Sequence, residues 1–231
     1  MKLKELNQTL IFSLGGSLIV PKEGINISFL KKIKKTFFSF LKLSSVNKII
    51  IIVGGGKTSR DYIDAAKKID DIEREEIDNL GIMSTQINAE LVRLFLKSKV
   101  YGKVVKEPQK LSQEIIVASG WKPGNSSDLN AILWALKEDV NIVFNLTDVD
   151  FVYDKDPDRF SDARPLEKLN WNQFKDIVGG NWKPGLSTPF GPMASKRAQE
   201  ENIKAVILKG NNLKNLENCI KGLDFDGSII E

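Results

Sequence analysis

The sequence predicts an α/β fold in which a mainly parallel sheet is sandwiched between helices, and three observations predict it. Short apolar runs of strand length alternate with stretches of helical periodicity, the order that builds parallel strands joined by crossover helices. One run, Lys48-Ile49-Ile50-Ile51-Ile52-Val53, is unbroken in apolar character after its lysine, as expected of a central strand buried on both faces. The most informative turns all follow strands, where ligands bind in sheets of this kind.

The first strand is expected at Thr9–Leu14, leading into the turn Leu14-Gly15-Gly16-Ser17. A helix follows over Leu30–Leu43, with Leu30, Ile33, Phe37 and Leu41 at helical spacing. The interleaved Lys31, Lys32, Lys34 and Lys35 read as its solvated face rather than as a nucleic-acid patch. The strand Lys48–Val53 stops at Gly54-Gly55-Gly56, and a helix opens there with Ser59 placed to cap it. A long helix is predicted over Ile77–Lys97, with Leu80, Met83, Ile87, Leu91, Leu94 and Phe95 on one face. Strands at Val100–Val105 and Glu114–Ala118 precede a helix at Asp128–Lys137, capped by Ser127 or Asp128. A strand at Asn141–Leu146, helices at Asn172–Val178 and Met193–Glu201, a strand at Lys204–Leu208, a helix at Leu213–Ile220 and a strand at Ser228–Ile230 complete the alternation. Composition changes near Asn145, which puts a boundary between two lobes at residues 140–147. Trp121-Lys122-Pro123-Gly124 is echoed by Trp182-Lys183-Pro184-Gly185; the echo is too short for a structural repeat and marks two similar turns.

Composition narrows the function. With 231 residues, 42% hydrophobic and 28% charged, the chain has the make-up of a globular protein. The net charge of +4 is spread along the sequence and weakly favours an anionic small substrate. Cys219 is the only cysteine, so no internal disulfide can form. Met1–Leu10 is polar with no signal-peptide pattern, and no apolar run is long enough to cross a membrane, so a soluble cytoplasmic protein is expected. The absence of histidine removes His-based triads, His general bases and His metal ligands.

Five motifs remain. Strand, Gly54-Gly55-Gly56 and a helix N-terminus bearing Lys57 and Arg60 read either as an anion site, most simply for phosphate, or as a tight strand-to-helix turn with no ligand. The motif matches neither common phosphate pattern: Ile51 stands where a Walker A loop needs glycine, and Ser59 where a dinucleotide fingerprint ends. Gly15-Gly16-Ser17 is a second glycine turn, and two of them could hold two phosphorylated groups side by side. The stretch Ser119–Asp128 is a third loop, its length and polarity before the helix cap favouring a ligand. Thr147–Pro157 carries four carboxylates, Asp148, Asp150, Asp154 and Asp156. It lacks the glycine and terminal Glu of a calcium loop, leaving a solvated acidic hairpin or an adenine and ribose site with Tyr153 stacked on the base. Met193-Ala194-Ser195-Lys196-Arg197 opens a helix with a lysine at its basic-disfavoured end; Lys196 is either an ordinary surface residue or a neutraliser of phosphoryl charge.

In this order the motifs resemble the amino-acid kinase superfamily, and within it the archaeal-type uridylate kinases, from Gly15-Gly16-Ser17 to Gly227-Ser228-Ile229-Ile230. The resemblance implies one domain of three-layer α/β/α form. Residues 1–140 would serve the acceptor and 141–231 the ATP. It implies ATP-dependent phosphorylation of UMP to UDP, with Mg²⁺, in a hexamer. By position it implies that Gly15, Gly16, Ser17, Gly56 and Arg60 face ATP phosphates, and that Thr147, Asp148, Tyr153 and Asp156 form the adenosine pocket. Gly55, Asp78 and the loop Trp121, Lys122, Pro123, Gly124, Asn125, Ser126 and Ser127 would hold UMP. Lys196 would stabilise the transferring phosphoryl group, and Asp128 would orient lysine and metal.

The chain departs from that pattern at Ser13, where many relatives carry lysine, at Gly191, where an aspartate is frequent, and at Phe151, where glycine is usual. Two rivals follow from the same resemblance. One is another phosphate- or carboxylate-accepting kinase, although an isopentenyl-phosphate kinase would be expected to use a histidine. The other is a non-catalytic ATP- or oxyanion-binding storage protein. A dinucleotide-binding oxidoreductase is disfavoured by the paired glycine turns.

Overall fold

A computed structural model describes residues 8–157, 159–178 and 189–231. The second tryptophan motif, Trp182–Gly185, lies outside them. In chain order the elements are β1 (Thr9–Leu14), α1 (Gly16–Ile19), α2 (Ile27–Phe40), β2 (Lys48–Val53), α3 (Gly56–Ile69), α4 (Arg74–Leu96), β3 (Ile115–Ala118), α5 (Ser127–Glu138), β4 (Ile142–Thr147), β5 (Val152–Tyr153), β6 (Pro165–Leu166), β7 (Lys168–Leu169), α6 (Trp171–Val178), α7 (Pro192–Glu200), β8 (Lys204–Lys209), α8 (Leu213–Ile220) and β9 (Ser228–Ile230).

Among the described residues the main sheet has seven strands in the order β3-β2-β1-β4-β8-β9-β7. From β3 to β8 every pairing is parallel. β9 runs antiparallel to β8, with β7 parallel to β9. The expected mainly parallel sheet is therefore present, with a reversed edge. Ile49, Ile50, Ile51 and Ile52 are each 0% exposed, so both faces of β2 are covered, as its unbroken apolar run requires.

Neighbours on β1 show which helices cover which face. Phe12 packs its ring against Phe37 of α2 at 5.2 Å and Phe144 of β4 at 5.4 Å. Ser13, pointing the opposite way, donates to Asp128 of α5. Thus α2 and α5 lie on opposite faces. The strand order changes direction between β1 and β4, and the turns after those two strands leave from adjacent points on the carboxyl edge. That crevice is where an open α/β sheet binds ligands.

Three expectations are corrected. Val100–Val105 forms no continuous strand; only Val100 and Val105 bridge to the sheet, at Ile115 and Ala118. Gly102-Lys103, exposed between them, interrupts the pairing. Ser59 does not cap α3, which starts at Gly56 with Gly55 as N-cap and no side-chain cap. The α5 cap is Ser126, whose Oγ accepts from Leu129 N at 3.2 Å. The long helix α4 has the predicted period, but its buried face is displaced around the helix from the predicted stripe, of which Leu91 and Phe95 still pack against the core. Ser84, Asn88, Ala89, Val92 and Leu96 are buried, whereas Met83 and Ile87 are 63% and 64% exposed.

Candidate active site

The two glycine turns at the carboxyl ends of β1 and β2 are packed backbone to backbone. A Cβ on Gly16 would lie 2.1 Å from Gly56 N, and one on Gly56 would lie 2.2 Å from Gly16 O. Gly56 also has φ +59°, a conformation that L side chains resist. The glycines therefore serve first to let two turns touch, a reason the sequence reading did not include. Gly15 N donates to Leu146 O at 2.9 Å, and Gly210 N donates to Thr147 O at 2.8 Å. The turns after β1, β2, β4 and β8 thus meet at one place. Gly15, Gly16, Ser17, Gly55, Gly56 and Thr147 of the predicted set lie there. Leu18 N of α1 donates to Gly15 O at 3.0 Å and Lys57 N of α3 to Val20 O at 2.9 Å; the positive ends of the two helices suit phosphate.

Beside this crevice is an open pocket between α3, α4 and the loop before α5. It is lined by Gly54, Gly55, Ser59, Ile63, Asp78, Gly81, Ile82, Thr85, Gly120, Lys122, Pro123, Gly124, Asn125, Ser126 and Ser127. Eight of the nine residues expected at the acceptor line it. Trp121 does not; its indole Nε1 donates to the buried Asn130 Oδ1 at 3.0 Å. Asp78 Oδ2 accepts from Gly124 N at 3.0 Å, and Thr85 Oγ1 accepts from Gly120 N at 2.8 Å. One face of α4 thus holds the loop at two points.

Asp128, in the first turn of α5, joins β1 to the start of α7. Its Oδ1 accepts from Ser13 Oγ at 2.9 Å and its Oδ2 from Gly191 N at 3.1 Å. Burial pushes its pKa above the usual carboxylate range, and the two donors oppose that shift. A Cβ on Gly191 would lie 3.3 Å from Ser126 Oγ and 3.6 Å from Asp128 Oδ2. Two of the departures from the family pattern, Ser13 and Gly191, therefore converge on this carboxylate.

On the β4 side, Thr147 Oγ1 donates to Asp148 Oδ1 at 3.1 Å, and Tyr153 OH donates to Asp150 Oδ1 at 2.9 Å. Partial burial and then Asp150 raise the Tyr153 pKa. The Phe151 ring meets Tyr153 edge-on at 6.3 Å, adding an aromatic wall where glycine was expected. Asp156 lies at the exposed end of the same hairpin, its carbonyl accepting from Phe160 N at 2.9 Å.

Two cations are not brought to the crevice. Arg60 points to solvent from α3. The Lys196 side chain is 72% exposed and 4.0 Å from Glu200. It lines a groove with Trp171, Lys175, Val178, Pro192, Ser195 and Gln199, between α6 and α7. Spacing along α7 explains the difference: Pro192, Ser195, Lys196 and Gln199 share a face turned to α6. Lys209, half-buried and paired in register with Thr147, is the cation at the carboxyl edge that sequence reasoning passed over.

Sequence reasoning also passed over Thr85, Asn88, Asn130 and Asn145. Asn145 is a polar residue in an otherwise apolar strand, a visible signal. Its Nδ2 donates to Pro189 O at 2.5 Å.

The comparisons with known proteins show the family and the fold. The profile of the Amino acid kinase family matches residues 8–209. The uridylate kinase of Pyrococcus abyssi is 33% identical over 228 residues, covering 96% of this chain and 99% of that protein. The uridylate kinase of Methanocaldococcus jannaschii is 32% identical over 231 residues, with the same coverages. Among solved structures, the uridylate kinase from Archaeoglobus fulgidus superposes with a TM-score of 0.80 at 26% identity, covering 100% of both chains. The UMP kinase from Bacillus anthracis superposes at 0.79 over 98% of this chain and 97% of that one; at 20% identity it speaks to the fold alone. From the glycine turns to the last strand of the family match, the chain belongs to the amino acid kinase family.

Proposed function

We propose that the chain is a uridylate kinase, transferring the γ-phosphoryl group of ATP to UMP to give UDP and ADP within pyrimidine nucleotide synthesis. The observation that carries this reading is the pocket in which Asp78 of α4 and the 120–127 loop face Gly55, directly beside the paired glycine turns. Its similarity to uridylate kinases over nearly the full chain supports the choice of acceptor.

In this reading the paired glycine turns at Gly15-Gly16-Ser17 and Gly56 hold the donor phosphates, with Thr147, Asp148, Tyr153 and Asp156 beside the adenosine. Gly55, Asp78 and residues 122–127 hold UMP. A phosphate oxygen of UMP attacks the γ-phosphorus, and the bond to the bridging oxygen of ADP breaks. The attacking group is already anionic, so no general base is required. Alignment and charge neutralisation supply the rate.

Among the described residues no cluster of three or more acidic, Cys or His side chains could hold a metal. A magnesium ion would be carried on the triphosphate, keeping several waters and taking one or two carboxylates. Asp128 would orient it, and the ion would neutralise charge on the transferring group. The placement of Lys196 gives no support to a phosphoryl contact, so the role implied by resemblance is not retained.

We further propose a cytoplasmic enzyme that assembles as an oligomer, a hexamer by analogy. No helix among the described residues is long and apolar enough to cross a membrane. Met83, Ile87 and Leu94 form an exposed apolar stripe on α4 that assembly would cover. Within the single domain, residues 1–140 would serve the acceptor and 141–231 the ATP. ADP release from ATP, compared across UMP, CMP, isopentenyl phosphate and amino acids, tests the reading: UMP is expected to be preferred.

A further inference from the structure

Asn88 is 4% exposed and sits in the middle of α4, outside the pocket lining. Its Nδ2 donates to Gly54 O at 3.0 Å and to Gly55 O at 2.9 Å. Both hydrogens of the amide are thereby committed to two consecutive carbonyls. Its Oδ1 is approached by Thr58 Oγ1 at 3.5 Å. A polar residue buried on a helix face must satisfy its own groups, and this one commits both of its donor hydrogens to a glycine turn.

The direction of these bonds matters. There is no cis peptide among the described residues. In a trans peptide the N–H points opposite the C=O. Holding the carbonyls of Gly54 and Gly55 toward α4 therefore turns the amides of Gly55 and Gly56 away from it. Glycine peptides resist rotation least, because both signs of φ are open to them. Without a clamp the Gly54–Gly55 peptide can flip and present a carbonyl oxygen where an anion needs an N–H, whereas the Gly55 carbonyl is also held by Ser59 N at 3.2 Å.

We propose that Asn88 is a positioning residue that locks the Gly54-Gly55-Gly56 turn in its anion-binding orientation. It touches neither nucleotide and acts through the two peptides it holds. The catalytic consequence rests on the proposed phosphoryl transfer to UMP; the locking itself does not. Thr85, one turn earlier on α4, anchors the neighbouring loop at Gly120, so the buried polar face of one helix aligns both loops.

Asn88→Ala and the near-isosteric Asn88→Asp test this in the full chain. In the alanine variant kcat for UMP-dependent ADP release should fall about 10²–10³-fold, the scale of a lost preorganised donor. The KM for UMP should change by less than about threefold, since the effect is realised in the transition state. The aspartate variant should be equally impaired when ionised, because a carboxylate has no hydrogen to donate. As pH falls and its carboxyl protonates, it regains one donor, so kcat should rise through an ionisation absent from wild type and from Asn88→Ala. Hydrogen exchange without substrate provides the second readout. Amides in residues 55–60 should exchange at least about tenfold faster in both variants while β2 stays protected. If the alanine variant does not fold, the aspartate variant carries both measurements. A kcat within about twofold of wild type, a pH profile common to the two variants, or unchanged exchange over residues 55–60 would overturn the proposal. A wild-type chain with no UMP turnover would instead count against the acceptor assignment, and exchange alone would then decide the role of Asn88.

Discussion

Ser13 on β1 and Asp128 on α5, 115 positions apart in sequence, are joined by a 2.9 Å hydrogen bond from the Ser13 hydroxyl to Asp128 Oδ1. Gly191 N, at the start of α7, donates to the other carboxylate oxygen. One carboxyl group therefore ties the first strand, α5 and the entry to α7 together. Many members of the superfamily are expected to place a lysine at the Ser13 position; here a neutral donor replaces that charge.

The Asp128 pKa is raised, chiefly by burial. A carboxyl whose folded pKa lies above its unfolded value binds its proton more tightly when folded. Stability should therefore fall as pH rises from the ordinary carboxylate range through the folded pKa. Asp128→Asn should remove that slope while lowering turnover. Thermal denaturation of the two proteins across pH checks the first point; retention of the slope in the variant would show that another group causes it.

Ser13→Ala should leave the carboxylate one donor short in a buried site. A loss of about 1–3 kcal/mol is expected at neutral pH. Chemical denaturation of wild type and variant measures it.

Gly16→Ala places a methyl group against the Gly56 backbone, 2.1 Å from its nitrogen. No side chain can swing away to relieve the overlap. The variant should lose at least about 3 kcal/mol of stability, at or beyond the upper range for overpacking, or fail to accumulate as folded protein. Gly24→Ala is the control for expression: its Cβ would meet nothing within 4 Å, leaving only the strain of a φ of +104°.

Lys34 donates to Phe95 O at 2.7 Å near the end of α4, and its ammonium lies 5.4 Å from the Phe38 ring centre and 5.1 Å from that of Phe95. Lys34→Met keeps much of the apolar stem but loses the cap and both ring contacts. A stability loss of about 1–2 kcal/mol is expected from a lost charged hydrogen bond with cation–π contributions. A drop in Tm with unchanged UMP turnover would support a purely structural role.

Lys196 provides the opposite kind of test. With its side chain 72% exposed in the α6–α7 groove, Lys196→Ala should change turnover by no more than about twofold, as for most exposed positions. A loss of a hundredfold or more would mean that α7 rearranges when nucleotide binds.

The parts of the fold that were legible in the sequence are those where one residue type answers one physical demand. Ile49–Ile52 could only be a strand covered on both faces, and glycines at the strand ends marked the edge where the site lies. The pocket-lining loop was legible because a run of polar residues before a helix cap has few structural uses. The orientation of α4 was not. Its periodicity is shared by two stripes, an apolar one through Met83 and Ile87 and a polar one through Asn88, and ordinary reasoning puts the apolar stripe inside. Here Asn88 faces inward beside Ala89, Val92 and Leu96 because it has backbone groups of a glycine turn to satisfy. Asn88 and Thr85 were invisible for the same reason: on a helix such residues read as surface until the loops that need them are placed. Lys196 shows the converse, since a motif match fixes a position along the chain but not the face of the helix on which it emerges.

The central claim is that the pocket between Asp78, Gly55 and the 120–127 loop accepts UMP beside ATP bound at the paired glycine turns. ADP release from ATP and Mg²⁺, measured with UMP and with CMP, isopentenyl phosphate and amino acids as competing acceptors, tests it most directly. Turnover that depends on UMP and exceeds that with every other acceptor is the expected result. Absence of UMP-dependent release from folded protein, or a clear preference for another acceptor, would contradict it.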